Sequence, residues 1–141
     1  MIRLASPAER AFVCKSWVQS FGSSPWADSM ATPLEVKRNR LADAYYRGHN
    51  ALVDRLLARP GCVVRVAERD GIAVAFLVAE PSRGVVHYAY TKTLYRGEGI
   101  QHELAGALWE QPAVYTHKTH AVDAARVPRL WRYDPYPAMG G

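Results

Sequence analysis

The residues best suited to chemistry are gathered in the second half of this chain. Arg96-Gly97-Glu98-Gly99-Ile100-Gln101 sets two glycines one residue apart between a β-rich run and an amphipathic run. A turn that feeds a helix start leaves backbone N–H groups unpaired and pointing outward, which makes a ready anion site. Glycine lets the backbone approach a phosphate closely, and Arg96 adds a fixed positive charge. His87 stands four residues before Thr91 on the preceding run, and side-chain alternation places it on one strand face with Ala89 and Thr91. An imidazole there is either an acid–base group or a satisfied, partly buried strand residue. His117 and His120 have the spacing of two metal ligands, but no third ligand stands near them, so no metal site is read.

These residues need a scaffold, and the stretch Gly84 to Glu110 supplies its centre. Val85, Val86, Tyr88 and Tyr90 predict a strand. Ile100, Leu104, Ala107 and Leu108 predict a helix with one apolar face. Upstream, Cys62–Glu68 and Ile72–Glu80 predict two strands joined by a tight turn at Arg69-Asp70-Gly71. Both runs are nearly continuous in apolar residues, which predicts a sheet covered on both faces over part of its length. Three successive antiparallel strands followed by a helix argue against a Rossmann unit, whose glycine turn sits inside a βαβ. The absence of Gly-Lys-Ser/Thr argues against a P-loop.

At the start of the chain, Ile2–Ala5 reads as a short strand and Ser6-Pro7-Ala8-Glu9 as a capping box. The helix it opens carries Phe12, Val13 and Trp17 and ends near Ser20 to Gly22. A loop follows to Ala31, and Thr32-Pro33-Leu34-Glu35 opens a second helical region made basic by Lys37, Arg38 and Arg40. Tyr45, His49, Leu52, Val53, Leu56 and Leu57 then form an apolar helical stripe, stopped by Pro60-Gly61. Beyond Gln111-Pro112, Ala113–His117 reads as a fifth strand, Thr119–Val127 as a short helix and Leu130–Tyr133 as a last strand. The tail from about residue 137 to 141 is expected to be loose.

Composition bounds the function classes. The 141 residues are expected to form one domain, and 49% hydrophobic with 22% charged residues is ordinary for a soluble globular protein. A net charge of +5 suits a polyanionic small molecule and a nucleic acid equally well. Cys14 and Cys62 lack metal spacing and read as small core residues of a reducing cytoplasm. No run is long and apolar enough to span a membrane.

With the strand, the glycine turn and the helix in hand, the chain resembles the GNAT family of acetyl-CoA-dependent N-acetyltransferases. Their Arg/Gln-x-x-Gly-x-Gly/Ala motif is met by Arg96 and Gly99, while Gln101 stands where the family has Gly or Ala. The resemblance implies a mixed α/β fold with a twisted, mostly antiparallel sheet flanked by helices. It implies coenzyme A pyrophosphate on Arg96, Gly97, Glu98, Gly99, Ile100 and Gln101. It further implies pantetheine along the backbone of Ala89, Tyr90 and Thr91, in a gap where the fifth strand splays from the fourth. The first helices form one wall of the acceptor cleft in that family, which makes Trp26, Tyr45, Tyr46 and His49 candidate substrate contacts. Core packing is the alternative for each.

Acetyl transfer from a thioester to an amine needs aligned reactants, a polarised carbonyl and a base. His87 is the first candidate base, Glu80 the second, and His117 the third, with contact to pantetheine as its other reading. Tyr133 or water protonates the leaving thiolate, since residues 120–129 hold none of the tyrosine many family members carry there. The acceptor is a small-molecule or protein amine. A weaker similarity, in Tyr-x-Tyr before the loop and the Tyr-Asp-Pro-Tyr ending, is to small GNAT-like proteins of tailed bacteriophages. That similarity suggests a rival reading, a catalytically inactive structural or binding protein of a virion or host interaction. Nucleic-acid binding through Lys37, Arg38, Arg40, Arg47 and Arg55 is a third reading, and Trp131 and Tyr136 suit a homodimer contact.

Overall fold

Asp70 and Gly71 both adopt positive φ (54° and 79°), as the tightest hairpin turn requires, and they join strands of seven and nine residues. These are β2 (Val63–Arg69) and β3 (Ile72–Glu80), paired antiparallel. The computed structural model describes residues 1–22, 42–117 and 127–139. Within them, β1 (Ile2–Leu4), β2, β3, β4 (Val85–Thr91), β5 (Ala113–Tyr115) and β6 (Trp131–Tyr133) lie side by side in chain order. The first three pairings are antiparallel, and β4–β5 and β5–β6 are parallel.

Helices cover both faces of this sheet, which explains why β2 and β3 are apolar almost throughout. On one face, α1 (Arg10–Gly22) and α2 (Ala42–Leu57) bury Val13, Trp17, Phe21, Val53 and Leu56 against Val66, Phe76, Val78 and Tyr88. On the other, α3 (Ile100–Ala105) buries Ile100 and Leu104 against Val74, Leu77, Ala79 and Val86. The capping box at the start of the chain forms as expected: the Ser6 N–H donates to the Glu9 carboxylate at 2.9 Å. Glu9 also accepts from Arg3, which reaches on to Glu68 of β2 and ties the first strand to the second.

Four expectations are corrected. The helix expected over Ile100 to Glu110 is α-helical only to Ala105, because Gly106 turns to φ +55° and Arg65 caps the Leu104 and Ala105 carbonyls. Residues Gly106–Glu110 continue as a 3-10 turn, and Ala107 is exposed rather than on the apolar face. The glycine turn does lie inside a βαβ unit, because β4 and β5 are parallel across α3; the antiparallel β1–β4 half still separates this sheet from a doubly wound one. The tail is ordered to Met139: α4 (Tyr136–Met139) buries Ala138, and Arg59 donates to the Pro137 carbonyl at 2.6 Å. Finally, Trp131 is occupied within the chain, its indole N–H donating to the Leu108 carbonyl at 2.9 Å, whereas Tyr136 is exposed.

The loop to Ala31, the helical region from Thr32, the basic residues Lys37, Arg38 and Arg40, and the helix expected over Thr119–Val127 (its last residue excepted) lie outside the described residues. Among the described residues, no helix is long and apolar enough to cross a membrane.

Candidate active site at the fork of β4 and β5

β4 and β5 share only a short ladder. Val85 is opposite Val114 and Val86 opposite Tyr115, and the last rung is the Thr116 N–H donating to the Val86 carbonyl at 3.0 Å. Beyond it, β4 runs on to Thr91 with β3 on one side and no β5 partner on the other.

A one-residue irregularity sits at this parting. Against β3, Val78 is opposite Tyr88 but Ala79 is opposite Val86, so His87 is an extra residue on β4. Such a bulge lets two successive side chains keep to one face. Val86 accordingly packs under α3, whereas Tyr88 packs under α1 and α2. His87 joins Tyr88 on that second side, in contact with Glu80 and Thr116. His87 therefore does not share a face with Ala89 and Thr91 as unbroken alternation predicts, for Thr91 meets Gln101 on the α3 side.

The bulge also resets the backbone. The Lys92 N–H donates to Val74, so the groups of Tyr88 and Tyr90 point to β3 and those of Ala89 and Thr91 to the open edge. Of the three residues expected to offer backbone to a ligand, Tyr90 is turned inward and its carbonyl accepts from Gln101 at 3.0 Å.

The buried polar groups of the fork form one chain. His49 Nε2 on α2 lies 3.1 Å from His117 Nε2, and His117 Nδ1 lies 3.0 Å from Thr116 Oγ1. That hydroxyl lies 3.0 Å from His87 Nδ1, and His87 Nε2 is 2.5 Å from Glu80 Oε2. Arg59 and Arg83 complete the Glu80 carboxylate at 3.2 and 2.9 Å. All five members of the chain are at most 3% exposed. The aromatic rings of Trp17, Phe21 and Tyr88 surround the two outer histidines.

Charge follows from this burial. Burial alone would raise the Glu80 carboxyl, but bonds from His87, Arg83 and Arg59 outweigh it and hold the group below its usual value. Burial lowers His87 despite the Glu80 contact, and it lowers His117 well below the ordinary imidazole range, helped by His49 and His87. His49 is pushed down to about 4, by burial. All three imidazoles are neutral at pH 7.

The structure thus brings His49, His87, His117 and Glu80 into one network, whereas the sequence and the family resemblance gave them separate roles as substrate contact, base and pantetheine contact. Thr116, its central joint, was missed, and nothing in its local sequence marks it. As a direct base His87 is corrected: both ring nitrogens are engaged and the side chain is fully buried, because the bulge turns it inward. Glu80 likewise has both oxygens taken. Tyr133 stands apart, paired across β5–β6 with Tyr115, which packs on the α3 side of the sheet. Trp26 lies outside the described residues, and of Tyr45 and Tyr46 only the helical backbone is described. Among the described residues no three His, Cys, Asp or Glu side chains are placed to hold a metal ion.

The glycine loop lies past the open end of β4. Gly97 and Gly99 adopt φ of +84° and +77°, and a Cβ on either would meet no atom, so conformation and not crowding calls for glycine here. The N–H groups of Gly97, Glu98 and Gly99 donate to no backbone carbonyl among the described residues. Arg96 is exposed and anchored by its Nε to the Thr91 carbonyl at 2.8 Å. Gln101 points away from the loop: its amide donates to the Phe76 and Tyr90 carbonyls and approaches Thr91 Oγ1, fastening α3 to the ends of β3 and β4.

No protein-family model and no curated protein matches the chain. Solved structures do. The GCN5-related N-acetyltransferase of Rhodopseudomonas palustris superposes with a TM-score of 0.50 over 78% of this chain and 63% of its own, at 19% identity. A Corynebacterium glutamicum protein described as histone acetyltransferase HPA2 and related acetyltransferase gives 0.50 over 75% and 71%, at 14% identity. The Salmonella typhimurium acetyltransferase yncA, solved with its cofactor acetyl-CoA, gives 0.43 over 78% and 61%, at 21% identity. The chain spans less than two thirds of the length of the first and third of these proteins. The fold is that of the GNAT acetyltransferases.

Proposed function

We propose that this chain is an acetyl-CoA-dependent N-acetyltransferase that transfers the acetyl group to a primary amine by direct attack. The observation that carries the reading is the fork: β4 leaves β5 at a bulge and then offers the edge amides of Ala89 and Thr91 without a strand partner among the described residues. Such an edge pairs with an extended amide-bearing arm such as pantetheine. The loop N–H groups of Gly97 to Gly99, with Arg96, suit a pyrophosphate. Edge amides aimed at a thioester oxygen would stabilise the charge that develops there. The acceptor amine enters from the side of α1 and α2, with Trp26, Tyr45 and Tyr46 as its contacts.

Calorimetric titration with acetyl-CoA tests this reading, repeated with Arg96→Glu and Gly99→Val. Micromolar binding that both substitutions remove supports it and justifies a screen of small-molecule and peptide amines. No binding at millimolar cofactor overturns it.

One observation favours a second reading, a GNAT-fold binding or structural protein without catalysis, such as a bacteriophage virion component. Every candidate acid–base group in the fork is buried and hydrogen-bonded to its neighbour. Cofactor binding without turnover on any amine would support it.

A further inference from the structure

The direction of the backbone decides where β4 leaves β5. Gly84 and Val86 turn their carbonyls to β5 and accept from the Val114 and Thr116 N–H groups at 2.8 and 3.0 Å. In an unbroken ladder Tyr88 would be the next acceptor on that side. His87 is the extra residue, so Tyr88 is opposite Val78 of β3 instead, and the pairing with β5 stops. The same change of phase turns the amides of Ala89 and Thr91 to the edge that β5 has left.

A bulge leaves one residue out of the ladder, so the side chains around it have to favour it over the regular register. Here two neighbouring side chains are held on one side of the sheet. Tyr88 stacks on Trp17 with ring centroids 5.2 Å apart, and its hydroxyl lies 2.6 Å from Ser20 Oγ. His87 is fully buried between the strands that flank β4. Its Nε2 lies 2.5 Å from Glu80 Oε2 at the end of β3, and its Nδ1 lies 3.0 Å from Thr116 Oγ1 just beyond β5. Glu80 is ionised and held by Arg59 and Arg83, so it accepts from His87 Nε2–H. Neutral His87 then accepts at Nδ1 from the Thr116 hydroxyl, which also lies 3.4 Å from the His87 carbonyl. Regular alternation would send either His87 or Tyr88 to the α3 side and break one set of these contacts. Both sets survive only with the bulge.

We propose that His87 is a positioning residue for the acetyl transfer: clamped between Glu80 and Thr116, it fixes the bulge and so decides which amides of β4 meet the pantetheine arm and the thioester. It touches neither substrate nor cofactor and acts through the backbone of Ala89 and Thr91. This deepens the reading as an acetyltransferase and rests on it. The clamp ties β3, β4 and β5 at the one point where β4 changes neighbours, whereas the glycine loop lies past the other end of β4. It therefore governs the arm of the cofactor and not its pyrophosphate, and the two can be measured apart.

The test begins with NMR of backbone amide exchange in the unsubstituted protein without ligand. Tyr88 and Tyr90 should be protected, and Ala89 and Thr91 should exchange about 10²-fold faster or more. Equal protection, or the reverse pattern, overturns the proposal. Thr116→Val then removes one jaw of the clamp at nearly constant volume. It should narrow this contrast and raise the Kd for acetyl-CoA by about tenfold, with the Kd for phosphoadenosine diphosphate, the half of the cofactor without the pantetheine arm, kept within about twofold. Thr116→Ser keeps the hydroxyl and should restore both readings. His87→Leu removes both jaws and should change the same two readings further. Equal loss of both affinities with faster exchange throughout the sheet makes His87 a residue of stability alone and overturns the proposal. So does an unchanged contrast and Kd in Thr116→Val. If the parent does not bind acetyl-CoA, the acetyltransferase reading falls and the cofactor role with it, while the exchange contrast still decides whether His87 sets the bulge.

Discussion

The fork and the glycine loop lie at opposite ends of the free edge of β4 and solve opposite problems. In the fork, five polar side chains are buried and spend their hydrogen bonds on one another. In the loop, Arg96 to Gly99 are exposed and three successive N–H groups lack a backbone acceptor among the described residues. A buried polar group without a partner costs a few kcal/mol, so the fork must be complete before any ligand arrives. An exposed amide is satisfied by water at little cost, so the loop can wait for an anion. Substitutions in the fork should therefore act first on stability, and substitutions in the loop on affinity alone.

The largest expected effect separates them. Glu80→Leu leaves the Arg59 guanidinium buried without its carboxylate and His87 without its acceptor. Loss of one partner of a buried ion pair should destabilise by about 3–5 kcal/mol, measured as the midpoint of urea denaturation. An unchanged midpoint would break the comparison on the fork side.

Acid should expose the same dependence next. His49, His87 and His117 have folded-state values below the ordinary 6.5, so below that pH the unfolded chain binds protons that the folded chain refuses. Stability then falls as pH drops from about 6.5 towards 4, by about 1.4 kcal/mol per unit for each histidine still neutral in the fold. Glu80, also lowered, adds its loss only below about 4.5, as its carboxylate is titrated. Denaturation midpoints measured between pH 4 and 8 check this; a flat profile would show that the histidines are not buried neutral.

The loop gives the converse. Arg96→Glu should weaken acetyl-CoA binding by at least tenfold, about 1.4 kcal/mol, with a melting temperature within about 2 °C of the parent. A comparable loss of stability would mean that the Arg96 bond to Thr91, and not a ligand, is what that residue serves. The smallest change sharpens the baseline. Gly48 lies exposed on α2, and a Cβ there would have no atom within 4 Å, so Gly48→Ala should stabilise by about 0.5–1 kcal/mol without altering cofactor affinity. Thermal melts and the same titration would check both halves.

Local patterns carried much of the scaffold. Asp70-Gly71 marked the hairpin, Ser6 with Glu9 marked the first cap, and the stripe from His49 to Leu57 marked the buried face of α2, because each is a contact between residues near in sequence. The glycine loop was legible for the same reason. Thr116 was not, since its importance comes from His87, 29 residues earlier on the neighbouring strand, meeting its hydroxyl. Arg59 gave no sign that it would hold the tail through the Pro137 carbonyl, 78 residues away.

What the sequence by itself determined is the set of elements and the exposed turn, because helical and strand periods and glycine's φ are properties of the local chain. Only the tertiary structure decided the face of His87. Strand alternation presumes an unbroken ladder, and one extra residue at the bulge reverses every side chain beyond it. That reversal turned a histidine expected on one face with Ala89 and Thr91 into the interior of a buried chain, and the chain links α2, through His49, to the fork.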